Sequence, residues 1–114
     1  YDIRLPEWFR KHVLLGAKAG YAVAECPRAR IDHWQTLLRA RAIENQCFVI
    51  ACNRVGHDPD NEFGGCSLII DPWGKILAQG THTEQLVSAA IDLQEVEEVR
   101  RKIPIFQDRR PDLY

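Results

Sequence analysis

Six consecutive residues near the middle of the chain, residues 47–52, are apolar and do not alternate with polar ones. A strand that faces water on one side alternates apolar and polar side chains, whereas a strand covered on both faces of a parallel sheet is apolar throughout. The run therefore predicts a strand buried on both faces. Strands of this kind are typical of layered α/β proteins, in which helices cover the sheet.

Helical and strand patterns alternate along the rest of the 114 residues. Pro6 suits a first helical turn, and the residues after it predict a helix over about residues 6–18, ended by Gly20. Asp32 is the predicted N-cap of a second helix, which carries an apolar stripe of Trp34, Leu37, Leu38 and Ala42. The remaining patterns predict strands at 21–25, 66–70, 75–79 and 85–91, a loop at 53–65, a helix at 93–102 capped by Asp92, and a non-helical tail from residue 103.

Composition and charge exclude several classes of function. Fifteen Lys and Arg residues balance sixteen Asp and Glu residues, and no basic run indicates a nucleic-acid partner or an acidic membrane surface. No apolar stretch reaches the roughly 20 residues that a membrane-spanning helix needs. The four cysteines fit neither a Cys-x-x-Cys metal site nor a disulfide-stapled fold, so we interpret them as reduced core thiols of a cytoplasmic protein.

The residues alone contain no complete catalytic set. His12 falls on the predicted face of the first helix, where a packed core histidine is expected. Cys66 follows two glycines, but the Gly-x-Ser-x-Gly pattern of a nucleophile elbow is incomplete because Ile69 stands where the second glycine belongs. The spacing around His57 matches neither a zinc site nor an EF-hand, so no metal site is predicted. No cofactor is predicted either.

Four separate motifs nonetheless resemble one family, the nitrilase superfamily of carbon–nitrogen hydrolases, in its ω-amidase-like branch. Residues 1–7 resemble the stretch after the active cysteine, Cys-Tyr-Asp-x-Arg-Phe-Pro-Glu, with Leu5 in place of phenylalanine. Residues 33–46 and 49–56 are similar to the second helix of the family and the strand behind it. Residues 65–74 resemble its Gly-x-Ser hairpin, and residues 103–114 resemble the tail of the ω-amidase branch.

The resemblance implies an αββα sandwich of which residues 1–114 form the C-terminal half. It also implies hydrolysis of small linear amides through a cysteine thioester, with a glutamate as general base and a lysine. The cysteine would stand just before Tyr1, whose backbone N–H would help to hold the oxyanion. The glutamate and lysine would lie in a missing N-terminal half, which the absence of methionine also indicates. The isolated 114 residues are therefore expected to be inactive.

Further site residues follow from the same resemblance. Cys26 occupies a position where close relatives carry tryptophan, and Arg30 is a candidate partner for a substrate carboxylate. Asn53 and Arg54 lie at the end of a predicted strand and are candidates for the substrate pocket. Three charged residues, Arg4, Glu7 and Glu44, are expected to fix the loop after the nucleophile through buried ion pairs, the alternative being ordinary surface pairs.

Two other functions remain open. A nitrilase would apply the same thiolate attack to a nitrile, and a non-catalytic module of this fold would serve mainly for dimerisation. For either the enzyme or the module, the resemblance implies a homo-oligomer formed through the helices at about 6–18 and 32–46, with the tail crossing onto the partner. The isolated piece is expected to expose an unpaired sheet face or edge and to aggregate.

Overall fold

The computed structural model describes residues 1–114 and contains one four-stranded sheet with helices packed on it. The strands β1 (Ala19–Ala24), β2 (Phe48–Asn53), β3 (Leu68–Ile70) and β4 (Ile76–Gln79) lie side by side in that order. β1 and β2 are parallel, whereas β2 with β3 and β3 with β4 are antiparallel. The predicted α/β class is confirmed. None of the helices is both long and apolar enough to span a membrane.

Helix α2 (Ile31–Asn45) connects β1 to β2 and covers one face of the sheet. Its predicted stripe is confirmed, since Trp34, Leu38 and Ala42 are fully buried against β2 and β3. The predicted N-cap is wrong: the helix follows a 3-10 turn at Arg28–Arg30, and Asp32 lies inside its first turn. An acidic residue still stabilises that position, because the N-terminal end of a helix dipole is positive.

The opposite face of the sheet is open along β1 and at the end of β2, although Phe48 and Ile69 on this face are buried. Tyr21 and Val23 of β1 are 75% and 87% exposed, and Cys52 of β2 is exposed as well. The prediction that β2 is buried on both faces holds for its first half, where Phe48 and Val49 point to opposite faces and are both fully buried, and fails at Cys52, which is exposed. The expected unpaired sheet face is present.

Helix α1 (Pro6–Leu14) ends earlier than the predicted residue 18. Gly16, with φ of 108°, adopts the left-handed conformation that commonly ends a helix, and β1 begins three residues later. Gly20, predicted to end the helix, lies within β1 instead. The ring of Phe9 fills the space in which a Cβ at Gly20 would stand, so this glycine allows α1 to approach the sheet closely.

The hairpin of β3 and β4 is confirmed, with Asp71 accepting backbone hydrogen bonds from Trp73 and Lys75 in the turn. The predicted strand at 85–91 is wrong, since these residues form no strand and Leu86 is 93% exposed. The sheet ends at β4, whose free edge residues 85–91 do not join.

The C-terminal region returns to the covered side of the molecule. Helix α3 (Gln94–Lys102) has Leu93 at its N-cap, one residue after the predicted Asp92, whose carboxylate nevertheless accepts a hydrogen bond from the Gln94 N–H at 2.9 Å. The tail is not wholly irregular, because a short helix α4 (Ile105–Asp108) begins after Pro104. Phe106 anchors it: the guanidinium groups of Arg10 and Arg100 each lie 5.0 Å from the centre of its ring.

Candidate active site

A cleft of about 1300 Å³ runs along β1, the strand at the open edge of the sheet. We call it the β1 cleft. One wall is β1 itself, and the opposite wall consists of the N-terminal turn and the start of α1. Of the residues predicted for the site, the cleft is lined by Tyr1, Arg4, Cys26, Arg30 and Arg54. Glu7, Glu44 and Asn53 lie outside it.

Tyr1 stands at the mouth of the cleft, and its side chain is almost fully exposed. A 3-10 turn at Asp2–Arg4 follows it. The Tyr1 carbonyl accepts a hydrogen bond from the Arg4 N–H at 2.9 Å, which fixes the peptide groups at the start of this turn. Pro6 then begins α1, because its ring supplies the backbone angle of a first helical turn.

The predicted buried ion pairs of Arg4, Glu7 and Glu44 do not form among these residues. Arg4 is exposed and its guanidinium lies 3.1 Å from Nδ1 of His33, while Glu7 is exposed without an ion pair. Glu44 pairs instead with Arg41, at 2.7 Å between Oε1 and the guanidinium. The two residues are on one face of α2, one turn apart, which places them within reach of each other.

Arg41 lies next to Ala42 of the apolar stripe on α2, and the sequence predicted no role for it at the site. It is only 5% exposed, and its Nε donates a hydrogen bond to the Ile3 carbonyl at 3.0 Å. Two features of the sequence indicate a paired arginine here: Arg41 lies beside the apolar stripe, and Glu44 follows it by three residues. Pairing the stripe with that spacing would have identified a buried ion pair on α2.

Cys26 follows β1 and is half-buried at the end of the cleft. Its Sγ lies 3.6 Å from the Arg30 carbonyl, to which the thiol donates a weak hydrogen bond. Burial raises the pKa of this thiol above its ordinary value, although the positive charges of Arg30 and Arg4 oppose the shift. Cys26 is therefore a neutral thiol near pH 7, suited to shaping the cleft rather than to attacking a substrate.

Asn53, a candidate for the substrate pocket, is buried, does not line the β1 cleft and clamps two loops together. Its Oδ1 accepts a hydrogen bond from the Cys26 N–H at 2.7 Å, and its Nδ2 donates to the carbonyls of Cys26 and Gly65, at 3.2 and 2.9 Å. The backbone N–H of Asn53 donates to Ser67 Oγ at 3.0 Å. One amide thus holds together the loops that follow β1 and precede β3.

Arg54 lies beside this clamp, at the C-terminal end of β2, and reaches the cleft. It forms an ion pair with Glu25 at 2.9 Å, and its guanidinium stacks 4.2 Å from the centre of the Phe63 ring. Arg30 lines the same end of the cleft and has no acidic partner. The charge at this end is therefore positive, with one arginine available to an anion.

The remaining sequence candidates are structural or exposed. Cys66 adopts φ of 54°, yet its backbone is held in the fold: its N–H donates to the Thr81 carbonyl and its carbonyl accepts from Trp34 Nε1, both at 2.9 Å. Burial also raises the pKa of the Cys66 thiol. His12 is exposed and lies edge-on to Trp8, so its predicted place in the core is wrong. Of the predicted core thiols only Cys47 is buried.

Comparison with known proteins places these features in one family. The sequence model of the carbon–nitrogen hydrolase family matches residues 1–101. The chain is 62% identical to the 2-oxoglutaramate amidase of Bacillus subtilis and 42% identical to the deaminated glutathione amidase of the mouse. These matches cover all of this chain but 44% and 36% of the two relatives. The chain thus spans less than half the length of these relatives.

Solved structures match the fold as closely. The NitFhit protein of Caenorhabditis elegans superposes with a TM-score of 0.93 at 40% identity, over all of this chain and 28% of that one. A carbon–nitrogen hydrolase of Helicobacter pylori superposes with a TM-score of 0.90 at 33% identity, over 99% of this chain and 45% of that one. The layer of helices and sheet described above is therefore one part of a larger fold.

Proposed function

Because this chain belongs to the carbon–nitrogen hydrolase family, in its ω-amidase-like branch, we propose that the whole protein hydrolyses the carbon–nitrogen bond of small linear amides. Residues 1–114 would form the C-terminal part of its hydrolase domain. The observation that carries the proposal is the β1 cleft, in which the turn after Tyr1 faces Cys26 and the unpaired Arg30. Relatives named as amidases of 2-oxoglutaramate and deaminated glutathione support an amide as substrate.

In the proposed reaction, the thiolate of a cysteine that precedes Tyr1 in the whole protein attacks the amide carbonyl carbon. The carbon–sulfur bond forms and the carbon–nitrogen bond breaks, and the leaving nitrogen takes the proton that a glutamate removed from the thiol. Ammonia departs, and the acyl group remains bound to the cysteine as a thioester. Water then attacks the thioester, the carbon–sulfur bond breaks, and a carboxylic acid is released. The cysteine, the glutamate and an assisting lysine all lie outside residues 1–114.

Within this chain, the backbone N–H of Tyr1 would donate a hydrogen bond to the carbonyl oxygen as that oxygen gains negative charge. A donor fixed in advance stabilises the transition state more than the neutral amide, which is how it accelerates the reaction. The ordered 3-10 turn after Tyr1 supports this role. Arg4 lines the same wall of the cleft, and Glu7 lies at the start of α1. Both would help to hold this turn in place.

Arg30 would bind the carboxylate at the far end of an ω-amide. A guanidinium can hold a carboxylate through two parallel hydrogen bonds, and such charge-assisted bonds are among the strong ones in proteins. Arg54 would contribute positive charge from the same end of the cleft, and Cys26 would leave more room for the acyl chain than a tryptophan at its position. The absence of an acidic partner for Arg30 supports this assignment.

Ammonia release by the whole purified protein tests the proposal, with 2-oxoglutaramate and a neutral amide of equal length as substrates. Arg30→Met should raise KM for 2-oxoglutaramate roughly 10- to 100-fold, because one charged hydrogen-bonded contact is lost. The KM for the neutral amide should stay unchanged. Arg28→Met is the matched control, since Arg28 shares the 3-10 turn but pairs with Glu62. Hydrolysis of nitriles without ammonia release from amides would overturn the amidase assignment in favour of a nitrilase.

The whole protein would act as a cytoplasmic homo-oligomer. Unpaired cysteines suit a reducing compartment. Outside the β1 cleft, α1 and α2 expose the large apolar side chains of Leu14 and Ile43, which suit an interface between copies. A sedimentation profile of a dimer or larger assembly at micromolar concentration is expected, and a monomer would contradict it.

A further inference from the structure

Arg41 joins the rigid part of the fold to the turn that follows Tyr1. Its guanidinium makes two directed contacts, from Nε to the Ile3 carbonyl at 3.0 Å and from a terminal nitrogen to Glu44 Oε1 at 2.7 Å. The side chain is buried on α2, between Leu38 and Ala42, which are fully buried. The contact with Ile3 therefore fixes the turn relative to α2, which has more buried residues than any other helix of the chain.

Besides Arg41, the turn is held to α2 by one exposed contact, between the Arg4 guanidinium and His33 Nδ1 at 3.1 Å. None of its residues, Asp2–Arg4, is buried, and only the side chain of Ile3 packs against the core. Its internal hydrogen bonds, from Arg4 N–H to the Tyr1 carbonyl and from Leu5 N–H to the Asp2 carbonyl, fix its shape but not its place. Arg41 is a long-range hydrogen-bond partner that ties the turn to α2.

We propose that Arg41 is a positioning residue for the reaction: through the Ile3 carbonyl it fixes the direction in which the Tyr1 backbone N–H points into the β1 cleft. The inference rests on the proposed function, in which that N–H holds the oxyanion. An arginine suits the task because its planar fork makes both contacts at once, whereas a lysine ammonium is a single point charge on a flexible stem. Glu44 orients the Arg41 guanidinium, and the backbone carbonyl of Glu44 accepts a hydrogen bond from Arg10 at 2.5 Å.

The test uses the whole protein and compares two arginines of the same helix. Arg41→Lys keeps the charge but cannot keep both contacts. Arg39→Lys is the matched control, because Arg39 Nε donates a hydrogen bond of the same kind, at 2.9 Å, to the Gly74 carbonyl in the hairpin turn, away from the cleft. Steady-state kcat and KM for ammonia release from 2-oxoglutaramate are measured together with the melting temperature of each variant.

We expect Arg41→Lys to lower kcat about 10- to 100-fold with KM nearly unchanged, since small misplacements of a reacting group cost on this order. Arg39→Lys should keep both constants. If Arg41→Lys does not fold, Glu44→Ala replaces it, and a fall in kcat of at least about threefold is expected because the fork loses its orientation. If the unaltered protein releases ammonia and the Arg41 or Glu44 variant keeps the same kcat, the positioning role alone is overturned. If the unaltered protein releases no ammonia, the proposed function is overturned and this inference with it.

Discussion

Single buried polar groups hold the loops around the β1 cleft. The Asn53 amide uses both donors and its acceptor on backbone groups of two other loops, and no water is needed to satisfy them. A buried amide of this kind is costly to remove, because each of its partners is left without a hydrogen bond inside the protein. The cleft therefore depends on residues that do not touch it.

Asn53→Ala should lower the free energy of unfolding by about 3 kcal/mol, because two carbonyls and one N–H lose their partner. Asn61→Ala is the matched control, since that amide contacts only Asp58 on an exposed loop and should change stability by less than about 0.5 kcal/mol. Urea denaturation of the whole protein measures both. Equal effects of the two substitutions would contradict the clamp.

Cys47 gives the fold a dependence on alkaline pH. Burial raises the pKa of its thiol from 9.0 to about 12. The unfolded chain loses this proton above pH 9 while the folded chain keeps it, so the contribution to stability is complete below pH 9 and falls as pH rises toward 12. The loss is about 1.4 kcal/mol per pH unit within that window.

The stability difference between the unaltered protein and Cys47→Ala should therefore shrink by about 1.4 kcal/mol between pH 8 and pH 10. The comparison with the variant removes the effect of tyrosine and lysine groups that titrate in the same range. Urea denaturation at the two pH values measures it. A difference that stays constant would mean that the folded thiol ionises as freely as the unfolded one.

At the scale of helices and strands, local pattern predicted most of the elements. The apolar run of β2, the stripe of α2 and the turn of the hairpin each depend on neighbouring residues, and each was placed within a few residues. The strand expected at 85–91 would need hydrogen bonds to a partner strand, which a local pattern does not specify. A local pattern also does not specify the backbone partners of Asn53 and Arg41, which lie 12 to 38 residues away along the chain.

The packing of α1 on β1 depends on Gly20, where the ring of Phe9 leaves no room for a side chain. Gly20→Ala should lower the free energy of unfolding by about 1–3 kcal/mol, because an added methyl group overpacks this contact. The smaller side chain of Phe9→Leu should relieve most of that cost in the double variant. Thermal unfolding of the four proteins in this cycle tests the contact, and additive effects of the two changes would contradict it.

At the scale of the whole molecule, the chain is a half-covered layer. Helices bury one face of the sheet, while the other face is covered at Phe48 and Ile69 but exposed at Tyr21, Val23 and Cys52. A fully buried strand was expected from the sequence because the composition of β2 suits a sheet covered on both sides. The discrepancy is explained by the length of the relatives, of which this chain spans less than half.

Residues 1–114 on their own should self-associate at micromolar concentration, since exposed apolar faces of a sheet seek cover. Replacing both Tyr21 and Val23 by threonine should reduce that association while keeping the strand, because threonine also favours strands. Replacing Leu86 and Leu113, which are exposed elsewhere, is the matched control. Sedimentation velocity would contradict this account if the unaltered chain were monodisperse and monomeric.

In the proposed function, the nucleophilic cysteine of the whole protein stands immediately before Tyr1. Mass spectrometry of the whole protein, quenched in acid during turnover of 2-oxoglutaramate and digested with trypsin, tests it most directly. The account predicts an acyl group on a cysteine in the peptide that ends with Tyr1–Arg4. An acyl group on Cys26, Cys47, Cys52 or Cys66 would contradict it, as would ammonia release with a cysteine beside Tyr1 replaced by alanine.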